Sequence, residues 1–158
     1  MILSVNDNNI EVGIDEAGRG CLSGRVYAAA VILPKEFNDD FYLNIKDSKK
    51  ISKKKRKELR KYIEENALDY GIGYSEPEEI DKINILNASI RSMHRALNNL
   101  NMDIEHIYVD GDKFKSNYKN LEEIEYTCII GGDDKYYNIA AASILAKVYH
   151  DEYVEELV

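Results

Sequence analysis

Short apolar runs that end at glycine turns, two long stretches with helical spacing, and an early alternating segment predict an α/β domain. Its form would be a mixed sheet with helices packed on it. In residues 10–15, the apolar Ile10, Val12 and Ile14 alternate with Glu11, Gly13 and Asp15, which is the period of a strand. Residues 26–33 form a second apolar run, rich in alanine and β-branched residues and closed by Pro34. Gly13, Gly18, Gly20 and Gly24 cluster around the junction, so a tight loop after Asp15 and an antiparallel pair are expected. Ser52 is placed to cap a helix running to about residue 65. Residues 67–74 read as a third strand, and Ser75, Pro77 and Glu78 as a capped helix start. Leu86, Ile90, Met93, Leu97 and Leu100 fall at helical spacing. An amphipathic helix over about residues 84–98 is expected, its stripe facing the core. Residues 107–110 and 124–130 are short strands. From about Tyr137 an alanine-rich helix runs to the C-terminus.

The 158 residues contain no repeat, low-complexity segment or linker, which predicts one continuous domain over residues 1–158. Apolar residues are 44% and charged residues 32%, an ordinary balance for a soluble globular protein. No apolar run approaches the ~20 residues needed to span a bilayer. The opening MILSVNDNN has no basic segment followed by an apolar one. A cytoplasmic protein with no membrane partner is expected. Cys21 and Cys128 are too few for a disulfide framework and lack zinc-site spacing, so both read as reduced, partly buried thiols.

The net charge of −8 is unevenly spread. Residues 46–61 hold ten of the 21 basic residues and two acids, Asp47 and Glu58, so this stretch is +8 and the remainder −16. Such a chain can offer a cationic strip to phosphates and keep a separate acidic pocket for metal ions. A charge run is also the ordinary composition of a solvated helix face. Lys53, Lys54 and Lys55 fill the first turn of the predicted helix, where cations oppose the macrodipole. A phosphate lying against that turn would offset the cost.

Two strands end alike. Val12-Gly13-Ile14 stops at Asp15-Glu16, and Ile107-Tyr108-Val109 stops at Asp110, each followed by a glycine turn. In sheets of this kind, sites collect at strand ends. Neighbouring parallel strands would set Asp15 beside Asp110. Glu16 points to the other face of a strand, so it joins Asp15 only if the chain leaves extended geometry there, which Gly18 and Gly20 would permit. A third acid, Asp133, follows Gly131-Gly132 just ahead of the last helix. Carboxylates gathered together repel one another unless a cation intervenes. Hard divalent ions, Mg²⁺ above all, suit such a cluster. A pair of ions ~3.5–4 Å apart is the usual arrangement for in-line attack of water on a phosphodiester.

Gly13-Ile14-Asp15-Glu16-Ala17-Gly18-Arg19-Gly20 resembles the opening motif of ribonuclease HII, the type 2 ribonuclease H family. Three further blocks resemble that family in the same order. They are Asp47-Ser48-Lys49-Lys50 with Lys55-Arg56, then Val109-Asp110-Gly111, then Gly132-Asp133 with residues 140–148. Residues 77–81 and 84–86 also fit, so the resemblance spans about residues 13–151. It implies a ribonuclease H-like fold, a five-stranded mixed sheet flanked by helices. It implies Asp15, Glu16, Asp110 and Asp133 as catalytic metal ligands for two Mg²⁺ or Mn²⁺ ions, and leaves Asp112 and Asp134 as neighbours without that role. It implies that Gly18, Arg19 and Gly20 read the ribose 2′-hydroxyl through their backbone, the group that tells RNA from DNA. Ser48, Lys49 and Lys50 would contact phosphates without reading sequence. The implied partner is an RNA·DNA hybrid, or a DNA duplex containing ribonucleotides. The implied reaction is hydrolysis leaving 3′-hydroxyl and 5′-phosphate ends, and a monomer is expected.

Some positions depart from the family pattern. Cys21 and Arg25 stand where proline is usual; Cys21 reads as an inert thiol, the alternative being that its oxidation beside the 2′-hydroxyl reader impairs activity. His150 stands where arginine is common and reads as a surface helix residue; His94 and His106 read as structural. Family members generally continue well past Asp151, into a segment carrying a tyrosine used at the RNA–DNA junction, whereas this sequence stops at Val158. The expectation is a complete metal cluster with weakened junction preference. The alternatives are a hybrid-binding module that cuts weakly or not at all, and another Mg²⁺-dependent nuclease of the same fold such as a junction resolvase.

Overall fold

The computed structural model describes residues 1–19, 24–115 and 124–157. Gly20 and Cys21 therefore lie outside the described residues. Five strands form one sheet: β1 (Glu11–Ala17), β2 (Val26–Ile32), β3 (Asp69–Ser75), β4 (His106–Asp110) and β5 (Glu125–Ile129). Their spatial order is β3-β2-β1-β4-β5. β2 is antiparallel to both β1 and β3, while β4 is parallel to β1 and β5. Three α-helices are present among the described residues, α1 (Lys53–Asn66), α2 (Pro77–Asn98) and α3 (Tyr137–Glu156).

Alternation along the strands sends alternate residues to opposite faces. Val12 and Ile14 of β1 join Ala28, Ala30 and Ile32 of β2 and meet Met93, Ala96 and Leu97 of α2. Ala29 and Val31 face the other way, onto Leu59 and Ile63 of α1 and the apolar run of α3. Helices thus cover both faces, and each buried leucine or isoleucine contributes about 1.5–3 kcal/mol. In α3, every residue from Asn138 to Ala146 is buried. A helix without a polar face there belongs at the centre of the domain, which explains its alanine-rich composition.

Two glycines set how closely the helices approach. A Cβ on Gly13 would sit 2.3 Å from the carbonyl carbon of Asn138 in α3. One on Gly73 of β3 would sit 2.4 Å from the carbonyl oxygen of Ser92 in α2.

Element boundaries differ from expectation in small ways. β3 begins at Asp69, because Ala67 still closes α1 with its N–H on the Ile63 carbonyl. Ser75 is the last residue of β3 rather than a helix cap. Its hydroxyl bonds the Ala88 carbonyl and the Ser92 hydroxyl, and Glu76 takes the cap position. α2 breaks at Asn84 (φ 70°, ψ 167°), a conformation that costs a non-glycine residue about 1–3 kcal/mol. The Asn84 side chain caps the second segment of the helix by accepting the Asn87 N–H at 3.0 Å. The expected helix start at residue 84 is the start of this segment. No helix among the described residues is long and apolar enough to cross a membrane.

Candidate active site

The parallel register of β1 and β4 pairs Ile14 with Val109, so Asp15 and Asp110 follow side by side at the carboxyl ends of their strands. Asp133 arrives from a 3-10 turn, Gly132–Asp134, immediately before α3. Its backbone N–H donates to Asp110 Oδ1 at 3.3 Å. One carboxylate oxygen from each of Asp15, Asp110 and Asp133 lies within 4.8 Å of the others. These three stretches, far apart in sequence, are the ones expected to meet.

Asp15 and Asp133 are buried and Asp110 is half-buried. Burial pushes the Asp15 carboxyl well above the usual carboxylate range. The charges of Asp110, Glu16 and Asp133 push the same way, against the Glu16 N–H that donates to Asp15 Oδ1. Burial, with Asp110 and Asp47 nearby, raises Asp133 to about 6, partly opposed by Lys49. Asp15 and Asp133, whose charged forms are disfavoured, and Asp110 beside them form a donor set suited to a divalent cation.

Glu16 stands beside this group rather than within it. The chain does not leave extended geometry at Glu16, because the β1–β2 ladder continues through Ala17, which pairs with Tyr27. It turns at Gly18, whose φ is +99°. Glu16 Oε1 lies 3.7 Å from the Arg19 guanidinium, and Oε2 is buried without a hydrogen-bond partner among the described residues. Burial raises the Glu16 carboxyl, Arg19 and Lys49 lower it, and the charge of Asp110 raises it.

Asp47 is an acid that the sequence pattern did not assign to the site. It is buried, and with Asp133 and Asp134 it forms a second group with oxygens within 4.8 Å of one another. It also caps the turn Ser48–Lys50 by accepting the Lys49 N–H. An acid inside an otherwise cationic stretch was the available signal.

The expected substrate residues fall into different settings. Ser48 is buried, and its hydroxyl accepts from Ser143 of α3 at 2.8 Å. Lys49 is exposed, and its charge acts on both Glu16 and Asp133. Lys50 is exposed and paired with Asp134 at 2.7 Å. Gly18 is half-buried and Arg19 exposed.

The cationic strip is less free than its composition implied. The acidic end of α3 packs along α1 and pairs Lys53 with Glu155, Arg56 with Asp151 (3.7 Å) and Arg60 with Glu152. Lys55 pairs with Glu58 at 3.6 Å. Part of the charge that opposes the α1 dipole is therefore balanced within the molecule.

The histidines also divide. His94 is buried, with Nε2 against the Lys115 carbonyl, and His106 Nε2 meets the Thr127 hydroxyl at 2.7 Å. The reading of His150 as a surface residue is overturned. It is 4% exposed, because this turn of α3 faces the sheet beneath Gly18 and Tyr27. Cys128 is half-buried, and burial pushes its thiol up.

A mixed sheet in this order, with helices on both faces and acids converging at the ends of two parallel strands, is the ribonuclease H-like arrangement. A family model described as Ribonuclease HII matches residues 12–158. Ribonuclease HII of Bacteroides fragilis is 52% identical over 153 residues, covering 97% of this chain and 73% of that protein. The Christiangramia forsetii enzyme of the same name is 54% identical over 145 residues, covering 92% and 70%. Among solved structures, the ribonuclease H2 of Pyrococcus horikoshii OT3 superposes with a TM-score of 0.78 at 28% identity, covering 93% of this chain and 74% of that one. The chain belongs to the ribonuclease HII family, and is thus a type 2 ribonuclease H.

Proposed function

We propose that this chain hydrolyses the RNA strand of RNA·DNA hybrids and cuts on the 5′ side of ribonucleotides embedded in duplex DNA. Its products would carry 3′-hydroxyl and 5′-phosphate ends. The observation that carries the reading is the convergence of Asp15, Asp110 and Asp133 to within 4.8 Å. Asp15, Asp110 and Asp133 are the residues that would hold two divalent ions, Mg²⁺ or Mn²⁺, with Glu16, beside the group, as the fourth ligand the family resemblance implies. Such ions, when bound, supply an activated water and neutralise charge developing on the leaving 3′-oxygen.

The protein's own residues do the rest. The close acids hold the scissile phosphate's surroundings in a fixed arrangement, because they sit on paired strands and a helix start rather than on free loops. Gly18 and Arg19 would present backbone to the ribose 2′-hydroxyl, which an all-DNA strand lacks; Gly20, the third residue of that segment, lies outside the described residues. Lys49 and Lys50 flank the acids and would hold phosphates on either side of the cut. Ser48 is held from behind by Ser143, so it acts through the shape of the turn that carries the two lysines.

Three labelled duplexes test the reading in Mg²⁺ or Mn²⁺: an RNA·DNA hybrid, a DNA duplex with one embedded ribonucleotide, and an all-DNA duplex. Cleavage of the first two and not the third is the expected result. Binding of hybrid without product at any metal concentration would instead make the chain a hybrid-binding module. Cleavage of the all-DNA duplex would make it a different nuclease.

A further inference from the structure

The buried histidine at the end of the sheet has no role in the chemistry proposed above. His150 is 4% exposed, and neither ring nitrogen has a hydrogen-bond partner among the described residues. Such a group is unusual, since buried polar atoms are nearly always paired. Burial and the nearby Lys147 push the imidazole's pKa down, against the smaller pull of Asp151. With no hydrogen bond to fix it, the ring is placed by contact alone.

Those contacts are specific. A Cβ built on Gly18 would lie 2.7 Å from Cδ2 and 2.8 Å from Nε2 of His150, so the ring fills the space that a side chain there would need. The ring also meets Tyr27 edge-on, with centroids 6.2 Å apart. One turn further along α3, Tyr153 lies under Gly24, whose Cβ would meet its ring at 3.1 Å. Tyr153 also stacks on the Arg25 guanidinium at 4.5 Å. The two glycines that bracket the loop between β1 and β2 therefore both rest on one stretch of α3. That same rigid helix begins just after Asp133. It links the acidic cluster at its start to the seat of the Gly18 turn near its end.

We propose that His150 is a positioning residue that sets the height of the Gly18-Arg19 turn over the substrate, and so tunes the recognition of a ribonucleotide. This rests on the assignment of that turn to the ribose 2′-hydroxyl. His150 touches no reacting atom; it acts through Gly18. A misplaced turn weakens the contact with the 2′-hydroxyl and leaves the acids where they are. The cost should therefore fall on KM and not on kcat.

The test compares wild type with His150→Ala, which removes the ring, and His150→Phe, which keeps a ring of similar shape without nitrogens. Steady-state cleavage of a duplex with one embedded ribonucleotide is measured, together with the affinity for an all-DNA duplex and the melting temperature. His150→Ala should raise KM about tenfold or more with kcat within about twofold, a change within the usual worth of one good contact. All-DNA affinity should be unchanged, and His150→Phe should recover most of the loss. If His150→Ala folds poorly, His150→Val, which removes only part of the ring's volume, should show a smaller rise in KM with kcat likewise within about twofold. A KM within twofold of wild type, equal weakening on all-DNA duplex, or no recovery in His150→Phe overturns the proposal. A wild-type chain that cuts no ribonucleotide-containing duplex refutes the assigned function instead, which separates the two failures.

Discussion

At the scale of single residues, the acidic cluster trades stability for chemistry. Asp15 is buried, beside Asp110 and Asp133, and its charged form is disfavoured in the fold. Asp15→Asn removes one of the repelling charges and keeps the side chain's shape. In metal-free buffer at pH 7 this variant should melt about 2–4 °C higher than wild type, equivalent to roughly 1 kcal/mol in a chain of this size. Cleavage should fall by on the order of 10²–10³, the usual result of losing one group that organises charge in the transition state. Thermal melts in EDTA and single-turnover assays in Mn²⁺ measure the two effects on the same preparation. A variant that melts below wild type would show that Asp15 is held by favourable interactions and not by strain. Asp15 and Asp110 are legible in the sequence because each stands where an apolar strand meets a glycine turn. Asp47 and His150 are not, because their burial depends on which turn of which helix reaches them. A weak signal for His150 exists: it continues the spacing of Ile139, Ser143 and Ala146, which are buried on α3.

At the scale of elements, local pattern carried the strands and helices, since periods of two and of 3.6 are written in neighbouring residues. Which faces meet is not local, and the charge on α1 shows the consequence. Its lysines and arginines read as a strip awaiting phosphate, yet Lys53, Arg56 and Arg60 face Glu155, Asp151 and Glu152 of α3. These partners lie about a hundred residues on, so no window of sequence could pair them. The pairs are partly or fully exposed, so each contributes little to stability. Their larger effect is on the field presented to a duplex. Replacing both Glu152 and Glu155 by Gln should leave the melting temperature within about 2 °C. It should tighten binding of any duplex several-fold at low salt, whether or not it contains RNA. The gain should vanish as ionic strength approaches about 0.5 M, because the freed cations act through screened phosphate contacts. Fluorescence anisotropy across a salt series gives the slope. Unchanged affinity at low salt would mean that the strip lies away from the bound duplex.

For the whole molecule, the mixed sheet matters because it brings three separate stretches to one end, and the resulting charge crowding gives the protein a distinctive dependence on pH. Asp133 titrates at about 6 in the fold against 3.8 for an ordinary aspartate, and Asp15 is raised in the same direction. A raised carboxyl means that the folded protein holds a proton which the unfolded chain has released. Below about pH 4 both states are protonated, and these groups cost nothing. Between 3.8 and about 6 the Asp133 share of stability falls as pH rises, and above that its full cost persists; Asp15 adds a cost of the same sign. Glu79 works in the opposite sense. Arg95 and Arg91 hold its carboxyl down at about 2, so its contribution is complete above 4.5 and is lost only as pH falls towards 2. The difference in melting temperature between wild type and an Asp15→Asn, Asp133→Asn double variant cancels Glu79 and every other shared group. In EDTA that difference should be near zero at pH 4 and grow in favour of the variant as pH rises, the Asp133 share being complete above about 6. Adding Mg²⁺ or Mn²⁺ at pH 7 should reverse its sign. An ion that binds only the folded wild type contributes about 2.7 kcal/mol at a hundred times its Kd, and the variant has lost the oxygens that would hold it. Calorimetric scans of both proteins, with and without the ion, give all four curves. Parallel curves with no pH-dependent gap would mean that the acids do not repel one another in the fold, and a gap that divalent ions leave untouched would mean that the cluster holds none.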